Sequence, residues 1–232
     1  MSSVQRDFAR YFSAWAVNYD ETVIAPRGIL AEVFDGYENT LYEVARRVKK
    51  NVRLVVDVGA GTGNLSLACL RLGLPVLGVD PNPDMRARAR EKLPDTVEIR
   101  AGDFLHLPLV DGVADAVVST WAFHHVPDRQ KPDAAREIAR VLSPGGRVVM
   151  ADTAYESDRA RDEILTQLAG RGRQDWVDEL QAEYYPTLAV VEEAFHQVGF
   201  GTSFKRLNRW VWLWEASRTT AISQLIYGER TR

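Results

Sequence analysis

Apolar residues recur along the chain with two periods. Phe8, Tyr11, Phe12 and Trp15 follow an i, i+3, i+4, i+7 rule, which predicts an amphipathic helix over 7–17 with Tyr19 and Asp20 at its end. A second helix is expected over 27–49, with Leu30, Val33, Phe34, Tyr37, Leu41, Val44 and Val48 on one face. The pattern then changes. Leu54, Val55, Val56 and Val58 form a short run broken only by Asp57, as in a strand covered on both faces, and the run enters Gly59, Gly61 and Gly63. Residues 65–72 form a good helix sequence that stops at Gly73. Further strands are expected over 75–80, 96–100, 113–120 and 147–152, with helices from about Pro83 and over 128–142 between them. The 35 residues 153–187 are too many for a simple crossover. Two helical patterns within them, Ile164, Leu165 and Leu168, then Trp176, Leu180 and Tyr184, predict an insertion over the active site that supplies substrate selectivity. A crossover helix over 188–198 and a hairpin, 202–207 with 210–214, close the chain. Trp210, Trp212 and Trp214 alternate with Val211 and Leu213, so that last strand belongs inside the sheet.

Strands alternating with helices predict an α/β fold with a mostly parallel sheet and helices on both faces. Chemistry is expected at the strand ends. Glycine lacks Cβ, so a ligand can lie against backbone amides at Gly59, Ala60, Gly61 and Gly63, where the following helix begins. Asn64 stands where the dinucleotide fingerprint wants its third glycine. Asp80 ends the second strand 21 residues beyond Gly59, near the spacing at which a carboxylate accepts from both hydroxyls of a ribose; a helix N-cap is the simpler alternative. Asp103 and Phe104 follow the third strand, and Thr120 ends the fourth. After Thr120 come Trp121, Ala122, Phe123, His124, His125 and Val126, a loop expected to line the reacting end of the cleft. Both histidines are candidates for proton acceptor or substrate contact, as is Tyr19 if the first helix folds over the cleft instead of merely packing on the domain. Tyr155, Tyr184 and Tyr185 can reach the pocket or pack against the domain.

Composition narrows the picture by exclusion. The 232 residues suit one domain, 1–232, with a helical lid over about 1–50 and the insertion at 153–187. A formal charge of -3 supplies no basic field for nucleic acid or an anionic membrane. Met1 to Arg10 lacks an apolar core and no long apolar stretch follows, so a cytoplasmic protein is expected. Cys69, the single cysteine, sits in an apolar helix and reads as a small buried residue. The four histidines show no metal-ligand spacing on a helix, and adjacent His124 and His125 are expected to point apart, so no metal is expected.

The whole pattern resembles a known family. FSAWAVNYD, DVGAGTGNLS, GDFLHLPL, VSTWAFHHVPD, the LSPGG turn, ADT, EYYPT and SFKRLNRWVWLWEA are similar to the YrrT-like bacterial group of class I S-adenosylmethionine (SAM) dependent methyltransferases, over about 8–216. The resemblance implies a Rossmann-like fold of seven strands with a C-terminal antiparallel hairpin. It implies SAM as cofactor, with contacts at Gly59, Asp80 and Asp103. Asp57, two places before the first glycine, is implied to face the cofactor's methionine part, Asp103 to accept from the adenine amine, and Phe104 or Leu105 to cover its ring or offer a backbone donor. The expected reaction is in-line methyl transfer to a small-molecule acceptor by a monomer or homodimer. Two rival readings are a SAM-binding sensor without transfer activity and a nicotinamide-dependent oxidoreductase, the latter disfavoured by Asn64 and the terminal hairpin.

Overall fold

The structure, a computed structural model, describes residues 8–48 and 51–218. Four helices come first: α1 (Phe8–Trp15), α2 (Tyr19–Ile24), α3 (Ile29–Val33) and α4 (Tyr37–Arg47). The long helix expected over 27–49 is therefore two, because Gly36 adopts a left-handed φ of 75° and caps α4; Lys49 lies outside the described residues, as does Asp7. α2 was not expected, since Tyr19 and Asp20 begin a helix instead of ending one.

The body alternates as the apolar pattern requires: β1 (Val55–Val58), α5 (Asn64–Arg71), β2 (Val76–Asp80), α6 (Pro83–Lys92), β3 (Ile99–Ala101), β4 (Ala114–Thr120), α7 (Lys131–Val141) and β5 (Leu142–Thr153). The insertion folds as α8 (Asp158–Gly170) and α9 (Gln174–Gln181), and α10 (Leu188–His196), β6 (Phe200–Arg206) and β7 (Val211–Arg218) end the described chain. The strands form one sheet of order β3-β2-β1-β4-β5-β7-β6. β1 to β5 run parallel, while β7 is antiparallel to both β5 and β6. The tryptophan-rich strand thus lies inside the sheet, as its two apolar faces demand.

Alternation along the strands divides two cores. Val55, Ala116, Val118, Val149 and Ala151 face one side with α4, α5 and the insertion's Leu168, Val177 and Leu180. Val56, Val58, Val117, Val148 and Met150 face the other with α7, α10 and Trp214. From the parallel neighbours β1 and β4 the chain continues to opposite sides of the sheet, and the crevice between their C-terminal ends is where a ligand fits such a topology. Among the described residues, no helix is long and apolar enough to cross a membrane.

Candidate active site

A cleft of about 860 Å³ opens at that edge of the sheet, near the upper end of the roughly 300–1,000 Å³ that small-molecule sites occupy. Gly59, Ala60 and Gly61 form its floor, Asp80 one wall and Asp103 with Phe104 another; Thr120, Ala122 and His125 also line it, with Phe12 against His125 and with Ser13 and Tyr19 on the Asp80 side.

The floor is built by two glycines for different reasons. Gly59 has φ 74°, and a Cβ there would collide with the Ala122 methyl of the neighbouring strand end. Gly61 has φ 53° and no atom within 4 Å of where a Cβ would sit, so any side chain there would fill the cradle itself. The loop amides are tied down: Gly59 N and Ala60 N donate to Val79 O at 2.8 and 3.1 Å, and Gly61 N donates to Asp80 Oδ2 at 2.8 Å. Gly63 is the N-cap of α5 at φ 85° and is not among the residues lining the cleft.

Asp80 is 7% exposed, and burial raises its carboxyl above the ordinary aspartate range against the opposing pull of the Asn82 and Gly61 amides. It is not the helix cap. Asn82 takes that part, accepting from Asp84 N and Met85 N at 2.9 and 3.0 Å and donating to Ser13 Oγ at 3.1 Å. One side chain thereby starts α6 and holds α1. Asp103 Oδ1 accepts from Leu105 N at 2.8 Å and His106 N at 2.9 Å, so the backbone donor expected of Leu105 is already engaged. Phe104 is buried on the wall, edge-on to Phe123 at 5.3 Å.

Several expectations need correction. Asp57 does not line the cleft: it is 1% exposed beneath the loop, where Ser66 Oγ donates to it at 2.6 Å. Burial drives its carboxyl up to about 7, with the Ser66 hydroxyl opposing and the Asp80 charge adding to the rise. His124 is also off the wall. Its Nδ1 pairs with Asp152 Oδ1 at 2.6 Å and its backbone N donates to Asp152 Oδ2 at 3.0 Å. Burial alone would raise the Asp152 carboxyl, but the His124 imidazole and these hydrogen bonds hold it below the ordinary range. Nor do the adjacent histidines point apart. They occupy a single 3-10 turn, Phe123–His125, which brings their ring centroids to 3.9 Å. With Glu183 they form a cluster whose ligand atoms lie within 4.8 Å of one another, a grouping that helix and strand spacing rules do not detect.

His125 does reach the cleft, with the Phe12 ring edge-on at 4.9 Å. Burial, then the neighbouring His124, push its imidazole down to about 4 against the opposing pull of Glu183. Burial holds the Tyr19 phenol well above its usual value, so it is a hydrogen-bond donor and a poor base. Trp15 stacks on Phe12, meets Tyr19 edge-on and is absent from the lining. No side chain of the insertion lines the cleft either. Tyr155 is buried, the Tyr184 carbonyl accepts from Lys131 Nζ, and the Tyr185 ring lies 4.7 Å from His124. Sequence reasoning missed Ser13, Tyr37, Asn82, Met85 and Gln130 on the wall. Trp121, in the loop expected there, is on the wall, and at φ 48° it is one of two described non-glycine residues with positive φ, the kind of held backbone that clusters at ligand sites.

Comparison with known proteins fits this geometry. Residues 56–150 match the methyltransferase domain family. An uncharacterized methyltransferase of Geobacillus kaustophilus is 38% identical over 93% of this chain and 99% of its own length, and one of Anoxybacillus flavithermus is 39% identical over 91% and 98%. Among solved structures, the magnesium protoporphyrin IX methyltransferase of Synechocystis with bound S-adenosylhomocysteine superposes with a TM-score of 0.68 at 17% identity, over 91% of this chain and 98% of that one. The DhpI protein in complex with SAM gives 0.64 at 20% identity, over 94% and 100%. From the sheet order, the glycine floor and these relatives together, the chain belongs to the class I SAM-dependent methyltransferases and resembles a group of bacterial enzymes.

Proposed function

We propose that the enzyme methylates a small-molecule acceptor held between the cofactor loop and the N-terminal helices. One observation carries the reading: α1 and α2 contribute to the lining of the cleft from its His125 side, where Phe12 packs edge-on at 4.9 Å, to its Asp80 side, where Ser13 accepts from Asn82. The bound cofactor supplies a methyl group on a sulfonium, whose departure as a neutral thioether needs little assistance. The chain's own task is to hold the partners nearly collinear and to exclude water.

In this reading Gly61 leaves room for the cofactor's polar tail. Asp80 grips the ribose hydroxyls with lone pairs that the Gly61 and Asn82 amides do not use. Asp103 meets the adenine amine, and Phe104 covers the ring. His125 contacts the acceptor, Tyr19 borders the cleft with its hydroxyl donated to Tyr37, and His124, locked to Asp152, positions the turn that carries His125. These assignments rest on the positions of the side chains around one cleft and on the family resemblance.

The test has two arms. Incubation with SAM and a panel of small thiols, amines and hydroxyl compounds is expected to yield S-adenosylhomocysteine with at least one class. Tight SAM binding by calorimetry with no product from any of them, or product only from the macromolecular fraction of a lysate, overturns the small-acceptor reading. In the second arm, Asp80→Ala is expected to weaken SAM binding by about 1–3 kcal/mol, the scale of hydrogen bonds to a charged group. Unchanged affinity removes Asp80 from the site.

A further inference from the structure

Beside the acceptor end of the cleft, the 3-10 turn Phe123–His125 sets two imidazoles 3.9 Å apart, and the insertion brings Glu183 to them with its Oε2 3.1 Å from His125 Nδ1. We propose that His124, His125 and Glu183 bind a first-row divalent cation of the zinc class, which fastens the insertion to the turn that ends β4.

The donor set is the first argument. Two imidazole nitrogens and one carboxylate oxygen suit zinc, cobalt, nickel or ferrous iron, whereas magnesium and calcium take oxygen donors almost throughout. Distance is the second. Ligand atoms about 2.0–2.2 Å from one ion stand about 3.0–3.6 Å apart, and the His125 to Glu183 separation of 3.1 Å already lies in that range. All three ligand atoms lie within 4.8 Å of one another, so with His124 held by Asp152, adjustment of the His125 and Glu183 side chains brings the set to coordination distance.

The surroundings are the third argument. Metal-ligating histidines ordinarily give their other ring nitrogen to a carboxylate, which fixes the tautomer and raises basicity. His124 does this with Asp152 at 2.6 Å, leaving Nε2 as its ligating atom. Asp152 is itself held by the His124 and Thr153 amides at 3.0 and 2.7 Å, so the arrangement is fixed before an ion arrives. Charge points the same way. The carboxylates of Asp152 and Glu183 are 2% and 5% exposed and lie against these imidazoles. The buried Lys131 ammonium nearby is bound to Val126 O, Asp128 and Tyr184 O. A divalent ion bound to the imidazoles adds positive charge beside two buried carboxylates. The competing explanation is a plain His125 to Glu183 hydrogen bond with no ion, and the experiment separates the two.

Protein without a histidine tag, stripped with a chelator and dialysed, is titrated calorimetrically with zinc and, in parallel, with cobalt(II) followed by visible absorption. The expected result is saturable binding of about one ion per chain, with cobalt bands typical of mixed nitrogen and oxygen ligation. Glu183→Gln and His125→Asn, each checked for wild-type circular dichroism, are expected to weaken it at least about tenfold, as loss of a metal-site partner does. No saturable binding below about 0.1 mM, or undiminished affinity in both folded variants, overturns the site. None of these readouts involves methyl transfer, so their failure leaves the methyltransferase assignment standing.

Discussion

Carboxylates of similar sequence position do different work once buried. Asp57 interrupts one apolar run and Asp80 ends the next, yet Asp80 borders the cleft while Asp57 lies beneath it bonded to Ser66. The consequence is measurable through stability. Because the folded carboxyl of Asp57 is pushed up to about 7 from an ordinary value of 3.8, the folded protein holds a proton that the unfolded chain releases. That contribution is fully present below about pH 4 and is lost as pH rises through about 7. Asp57→Asn, which keeps an oxygen for Ser66, is expected to flatten the fall in melting temperature between about pH 4 and 8. Superimposable thermal profiles of the two proteins refute this. Residue types at strand ends were legible in the sequence because Gly, Asp and Phe have strong positional preferences. Which carboxylate faces the ligand was not, since that depends on how far each strand protrudes beside its neighbour.

At the scale of elements, Asp20 joins the N-terminal helices to the glycine loop. Asp20 of α2 accepts from Thr62 Oγ1 at 2.6 Å and Asn64 Nδ2 at 3.0 Å and pairs with Lys92 Nζ at 2.6 Å. Burial works against its charge, but the hydrogen bonds from Lys92, Thr62 and Asn64 outweigh it, so the carboxyl lies below the ordinary range. Its contribution is therefore present above the unfolded value and lost only as pH falls through the lower folded one. Asp20→Asn weakens a clasp between the N-terminal helices and the glycine loop. SAM is expected to dissociate about two- to tenfold faster, the equivalent of one ordinary hydrogen bond, when followed by stopped-flow fluorescence. An unchanged rate separates Asp20 from cofactor retention. The amphipathic stripe announced α1, but its partner surface on α6 was invisible, because Asn82 and Ser13 meet only after the intervening chain has folded.

For the molecule as a whole, the terminal hairpin is a structural support of the site. Trp214 of β7 is fully buried, pairs through its backbone with Met150 of β5, and packs against Phe123, the residue that opens the histidine turn, at 6.1 Å. Trp214→Ala is expected to cost about 3–5 kcal/mol in urea unfolding, the usual range for removing a large aromatic from a core. Val110→Ala, at a residue 73% exposed, is expected to stay within about 0.5 kcal/mol. Equal midpoints for the two variants contradict a supporting role for the hairpin. The chain's sequence by itself determined the strand and helix order from β1 onward, the antiparallel end of the sheet and the glycine floor, because hydrophobic period and glycine placement are local properties. Tertiary structure alone decided that Asp57 is buried, that His124 and Glu183 meet behind His125, and that the insertion touches the site without lining it. Those contacts join residues up to 59 positions apart, from His124 to Glu183, and no local pattern encodes a distance that only the packed sheet creates.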